Sequence, residues 1–135
     1  MRLIPTGTDD FTSYARRRFG EGGLAARVAM VLQALPELVR RDLLDDPCFH
    51  LAADDYQSGR GRTVWLACPV PGNGGSRSVV LKPRLAECDE AFACYVIAHE
   101  LAHAYLRNGG WGEIRDPERA ADALAAEWGF PRAMP

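Results

Sequence analysis

The sequence predicts an α+β fold in a single domain over residues 1–135, with helices first, a small sheet in the middle and two helices at the end. Three observations carry this. Apolar residues recur at helical spacing through the first third. Segments of β-forming residues, bounded by turn residues, fill the middle. Two segments with helix caps close the chain. A length of 135 residues suits one domain with a modest core, and 47% hydrophobic residues is ordinary for a globular chain.

In the first third, Leu24, Val28, Val31, Leu32, Leu35, Leu38, Val39 and Leu43 form one helical stripe. Pro36 interrupts it, so the helix kinks there or gives way to a second one. The residues before Gly22-Gly23 form a separate short helix, with Thr8 or Asp9 as its cap. In the middle, residues 48–53 read as a short strand, residues 63–70 as a stronger one and residues 78–81 as a third. Pro71-Gly72-Asn73-Gly74-Gly75-Ser76 is a turn signal and predicts a hairpin between the last two. Residues 53–62 read as a loop. Pro83 lacks a backbone donor and belongs at a strand end or sheet edge. In the last third, Asp89 or Glu90 opens a helix that runs to about Arg107. Asn108-Gly109-Gly110 closes it, because glycine accepts the left-handed conformation of a helix end. Asp116-Pro117 opens the final helix, with Asp as cap and Pro at the first helical position, and Gly129 and Pro131 end it.

The net charge is -2 and the pI about 5.9, so neither nucleic acid nor an anionic membrane is expected as a bulk partner. Arg16-Arg17-Arg18 reads as a solvated helix face. Charged residues break up the first 20 positions, which argues against a signal core, and no apolar run is long enough to span a bilayer. A cytoplasmic location is therefore expected. The four cysteines, Cys48, Cys68, Cys88 and Cys94, contain no C-x-x-C pair and are expected to be reduced thiols rather than a disulfide framework, and their spacing does not support a cysteine zinc site.

Chemistry concentrates at residues 99–103, which read His-Glu-Leu-Ala-His inside a predicted helix. Positions i and i+4 lie on one helix face, so His99 and His103 can reach one metal ion. Glu100 is rotated by about 100° from His99, which places it beside that face rather than opposite it. It can act on a water at the metal without being a ligand. Zinc lowers the pKa of such a water towards about 7, and the carboxylate takes its proton as the water attacks a carbonyl. With three histidines in the chain, a shuffled sequence would contain H-E-x-x-H about three times in a thousand.

A catalytic zinc site needs a third protein ligand and one open position. An extended histidine motif would need glycine at 106 and histidine at 109, where the chain has Leu106 and Gly109. The remaining candidates are Glu113, Asp116, Glu118, Asp122 and Glu127. Glu118 is the best placed, in the first turn of the final helix with Asp122 one turn later. Asp122 can then orient a ligand histidine through its free ring N–H. Asp116 is better explained as a cap, and Glu113 lies in a loop that could also reach the metal.

His99-Glu100-x-x-His103 followed by Glu118-x-x-Ala121-Asp122-x-x-Ala125 resembles the gluzincin class of zinc metallopeptidases. In layout it is similar to the smallest members, the minigluzincins, and to ImmA/IrrE-type peptidase domains. The resemblance covers roughly residues 78–129. It implies a minimal zincin-like domain with N-terminal helices, a three-stranded sheet whose edge pairs with an extended peptide or protein substrate, and two helices that carry the zinc motif. It further implies one zinc ion held by His99, His103 and Glu118, Glu100 as general base, and Asp122 behind the ligands. The interval from His103 to Glu118 is short for the class, so residues 108–115 must turn tightly. Larger members supply an oxyanion-stabilising side chain from a further domain; here the polar aromatics are Tyr105, Tyr95, Tyr56 and His50. Tyr105 is expected in the core, and Trp111 as a packing residue between the motif helices. The expected activity is that of a zinc metallopeptidase, monomeric or weakly dimeric. The alternative is a weak or latent zinc-binding regulatory domain.

Overall fold

The computed structural model describes residues 8–20, 22–53 and 77–134. Among these the chain is α+β, with five α-helices and a two-stranded parallel sheet. The helices are α1 (Thr8–Phe19), α2 (Gly23–Ala34), α3 (Glu37–Leu44), α4 (Glu90–Tyr105) and α5 (Pro117–Glu127). The strands are β1 (Phe49–Ala53) and β2 (Arg77–Leu81), paired from Phe49 opposite Arg77 to Ala53 opposite Leu81. The predicted strand at residues 63–70 and the hairpin turn at 71–76 lie outside the described residues, as does the predicted loop at 53–62 apart from Ala53, which ends β1. Tyr56 and Cys68 also lie outside them.

Pro36 divides the first helical stripe into α2 and α3, and it stands as the N-cap of α3 in extended conformation. This follows from its missing N–H and from the bias of Leu35 against helix before a proline. Leu24, Val28, Val31, Leu32, Leu35, Val39 and Leu43 are buried as the stripe predicts, whereas Leu38 is 79% exposed. The short α3 buries only Val39 and Leu43, and Leu38 falls on its solvent face.

The core lies between α2, α4 and β2, with α1 outside α2 and α5 against α4. Ile97, Ala98, Leu101, Ala102 and Ala104 of α4 are fully buried, as are Ala120, Ala121 and Ala125 of α5. Small side chains let two helices approach closely, since interaxial distance follows the residues at the contact. Pro83 opens a 3-10 helix, Pro83–Glu87, directly after β2, where its missing donor costs the ladder nothing.

Arg77, at the start of β2, is 1% exposed. Its Nε donates to Ala104 O at 2.8 Å and its Nη1 to Asp46 Oδ2 at 2.8 Å; its Nη2 pairs with Asp42. One guanidinium thus joins the sheet to the end of α3 and to two final carbonyls of α4, with Tyr105 O at 3.4 Å. A cation at a helix C-terminus is also favoured by the helix dipole. Cys88 and Cys94 are free thiols, as expected, but Cys48 is disulfide-bonded, which corrects the expectation at that position.

Candidate metal centre

α4 begins at Asp89, whose side chain accepts from Ala91 N, and it runs without interruption through residues 99–103. Its face towards α5 carries Tyr95, His99 and His103 at successive four-residue intervals. α5 begins at Asp116, whose carboxylate accepts from Arg119 N at 2.9 Å, with Pro117 in the first turn. Asp116 is therefore occupied as a cap. Glu118 and Asp122, one turn apart, face the histidines.

The segment between the helices is the tight turn the spacing requires. Trp111 N and Ile114 O lie 2.8 Å apart and Ile114 N and Trp111 O 2.9 Å apart, a closed two-way bridge. The helix end differs from expectation. The left-handed residues are Arg107 (φ 53°) and Asn108 (φ 62°), while neither Gly109 nor Gly110 adopts positive φ. Asn108 N donates to His103 O at 2.8 Å, which satisfies one of the free carbonyls at the end of α4. Gly110 is required for space instead. A Cβ there would stand 2.3 Å from Ile114 O.

Four side chains meet at the resulting junction. His99 Nδ1 lies 2.7 Å from Asp122 Oδ1, and His99 Nε2 lies 3.1 Å from Glu118 Oε1. His103 Nε2 lies 3.2 Å from Glu118 Oε2. Donor atoms of His99, His103 and Glu118 all fall within 4.8 Å of one another, so this group could hold a metal ion. Ligands of a tetrahedral zinc site, with bonds of about 2.0–2.1 Å, stand about 3.3 Å apart; the two histidine–Glu118 contacts are of that size, each to a different carboxylate oxygen.

The protons available at His99 leave a place for a second proton or a metal ion between it and Glu118. A neutral imidazole has one N–H and one lone pair. If the His99 proton is on Nδ1, donated to Asp122, then Nε2 presents a lone pair to a carboxylate oxygen of Glu118. Two acceptors at 3.1 Å repel unless a second proton or a metal ion lies between them. At His103, burial is the strongest influence and holds the imidazole below its usual pKa against the opposing pull of Glu118. The neutral, ligand-competent form is thereby favoured. Its buried Nδ1 has no hydrogen-bond partner among the described residues. Burial pushes the Glu118 carboxyl up, but His103 and His99 outweigh it and the net shift is downward. Asp122 shows the same balance, with Tyr95, His99 and Arg132 overcoming burial.

No family model, curated protein or solved structure matches this chain. Glu100 is 4% exposed and lies on the same helix as both histidines. The carboxylates Glu113 and Glu127 are not in the cluster. Tyr105 is half-buried with its ring 6.4 Å from that of Trp128, on the packing side of α4. Trp111 is partly buried against the core. His50 is exposed on β1. Tyr95 and Arg132 emerge as members of the junction that the sequence reading did not assign. Tyr95 OH donates to Asp122 Oδ1 at 2.5 Å, and Arg132 Nη1 donates to Asp122 Oδ2 at 3.1 Å. The signal for Tyr95 was its position four residues before His99, which puts it on the same face.

Proposed function

We propose that the chain is a zinc-dependent metallopeptidase of gluzincin type, with His99, His103 and Glu118 as ligands of one zinc ion and Glu100 as general base. The observation that carries this reading is the convergence of two imidazole nitrogens and one carboxylate within 4.8 Å of one another, in reach of one metal ion. Two histidines and one glutamate form a donor set that suits a catalytic zinc with one open position. Zinc bound there would supply Lewis acidity and an activated water.

The residues divide the remaining work. Asp122 accepts from His99 Nδ1 and fixes the tautomer whose Nε2 lone pair points at Glu118. Glu118 spans both Nε2 atoms from α5, so it ties the two helices as well as the ligands. Glu100, adjacent to His99 and largely withdrawn from solvent, takes the proton from the attacking water and delivers it to the leaving amine. Its buried setting strengthens its electrostatic interactions with neighbouring groups. A peptide or protein segment is the substrate this chemistry fits, with the sheet edge as the docking strand of a zincin-like domain.

The test compares the native protein with Glu100→Gln after zinc loading. Elemental analysis is expected to give one zinc per chain in both. A mixed-peptide substrate is expected to be cleaved by the native protein and at least 100-fold more slowly by the variant, the usual scale of general-base removal. Equal zinc with no cleavage by either would leave a zinc-binding domain without turnover. Absence of bound metal from the native chain would end the zinc reading.

A further inference from the structure

We infer that Tyr95 is a positioning residue for the metal centre: its hydroxyl holds the Asp122 carboxylate in the orientation that accepts from His99 Nδ1. This rests on the metal-site reading above and extends it outward by one layer. Asp122 Oδ1 receives two donors, Tyr95 OH at 2.5 Å and His99 Nδ1 at 2.7 Å. Both donors come from α4, one turn apart, and the acceptor comes from α5. The two rings lie 5.8 Å apart at a tilt of 56°, so the phenol flanks the imidazole while both reach the same oxygen. Arg132 occupies the other oxygen, Oδ2, at 3.1 Å.

The geometry explains why a hydroxyl belongs at position 95. A carboxylate that orients a histidine is effective only if its own rotation is restricted. On Asp122, each oxygen is engaged, and Tyr95 and His99 share one of them. Loss of the hydroxyl would leave the shared oxygen bound by His99 alone, with Arg132 (71% exposed at its side chain) free to swing the carboxylate towards solvent. The tyrosine is well suited to remain a donor. Burial first, and then the Asp122 carboxylate, push its phenol well above the usual range. Phenylalanine would preserve the ring packing against His99 and Phe92, whose ring centroid is 6.5 Å from that of Tyr95, and remove one oxygen.

Three chains test this beside the native one: Tyr95→Phe, Asp122→Ala and the double variant. Zinc affinity is measured by competition with a chromophoric chelator. The His99 tautomer is measured by nitrogen-15 NMR of the metal-free protein at pH 8. Removing Asp122 is expected to weaken zinc binding by about 10–100-fold, and removing the Tyr95 hydroxyl by about 3–10-fold. In the Asp122→Ala background the Tyr95 change is expected to have no further effect, because its influence passes through the missing carboxylate. In metal-free Tyr95→Phe, His99 is expected to lose its single Nδ1–H tautomer and show a mixture. A Tyr95 penalty of equal size in both backgrounds would overturn the inference, since a merely structural role adds independently. Unchanged affinity together with an unchanged tautomer would overturn it too. If the native chain takes up no zinc, the metal reading fails separately. The tautomer comparison then decides the role of Tyr95, with a mixture upholding it and an unaltered Nδ1–H refuting it.

Discussion

At the scale of single residues, the junction is organised by where protons can and cannot be. His99 is bracketed by two carboxylates, Asp122 at Nδ1 and Glu118 at Nε2. His103 meets Glu118 at Nε2, while its buried Nδ1 has no hydrogen-bond partner among the described residues. Burial dominates at His103 and lowers its pKa below the ordinary 6.5. As pH falls, the unfolded chain therefore takes up a proton at this position before the folded chain does. The resulting stability is fully present above about pH 6.5 and is lost as pH falls from there through the lowered folded value. Glu118 and Asp122, both shifted downward, act in the same sense at lower pH. In chelator, the metal-free protein is thus expected to unfold at a lower temperature at pH 5.5 than at pH 7.5. His103 contributes at most about 1.4 kcal/mol per pH unit to this slope. Calorimetry on native protein and His103→Leu checks it, and a native melting temperature indifferent to pH across this interval would contradict it. The motif residues were legible because H-E-x-x-H is a local pattern on one helix. Tyr95 was not, because a tyrosine at helical spacing looks the same in a packed core as in a hydrogen-bonded junction, and only α5 reveals the difference.

At the scale of elements, the turn between α4 and α5 determines whether the local pattern becomes a site. Glu118 follows His103 by one short excursion that must reverse direction, and residues 108–115 achieve this with the Trp111–Ile114 bridge. Glycines in this stretch signalled the turn, and Gly112 takes the left-handed conformation their type suggests (φ 59°), but the end of α4 itself uses no glycine for it. Arg107 and Asn108 carry the left-handed conformations, and Asn is among the residues that tolerate them. Gly110 instead makes room for a carbonyl. An alanine there would bring its Cβ to 2.3 Å from Ile114 O and 3.0 Å from Arg115 Cα, both backbone atoms that cannot rotate away. Gly110→Ala is therefore expected to cost about 1–3 kcal/mol of stability, as overpacking does. It should also weaken zinc binding by moving α5 relative to α4. Urea unfolding and chelator competition read the two effects. A variant with native stability and native affinity would show that the turn can relax without disturbing the ligands. Caps were readable for a related reason. Asp89 and Asp116 act through neighbours two or three residues away, so their roles are written locally. Arg77 was illegible, because its partners Asp42, Asp46 and Ala104 come from α3, the residues just after it and α4, all distant in sequence.

At the scale of the whole molecule, the α+β class and the order of the described helices and strands followed from periodicity, since most residues of the helical stripe are buried, Leu38 excepted. The parallel pairing of β1 with β2 did not follow from it, because pairing partners are fixed by tertiary contacts and not by either strand alone. The same distinction governs how the metal would act on stability. α5 packs on α4, and its buried residues are Leu124 and three alanines, which bury little apolar area each, so this pair gains comparatively little from the hydrophobic effect. Glu118 on α5 and the two histidines on α4 would be joined through one ion, so binding would oppose the separation of these helices. A ligand that binds only the folded chain stabilises it by about 2.7 kcal/mol at a free concentration 100 times its dissociation constant. For a domain of this size, that corresponds to a rise in melting temperature of roughly 10 °C. Glu100→Gln keeps all three ligands and should show the full rise, whereas Glu118→Ala removes the only ligand from α5 and should show a small fraction of it. Both variants can be scanned by calorimetry in chelator and in zinc. Equal rises in Glu118→Ala and the native protein would place the ion elsewhere than between α4 and α5. A rise confined to the native protein and Glu100→Gln would tie the stability of the helix pair to the same three side chains that converge at its junction.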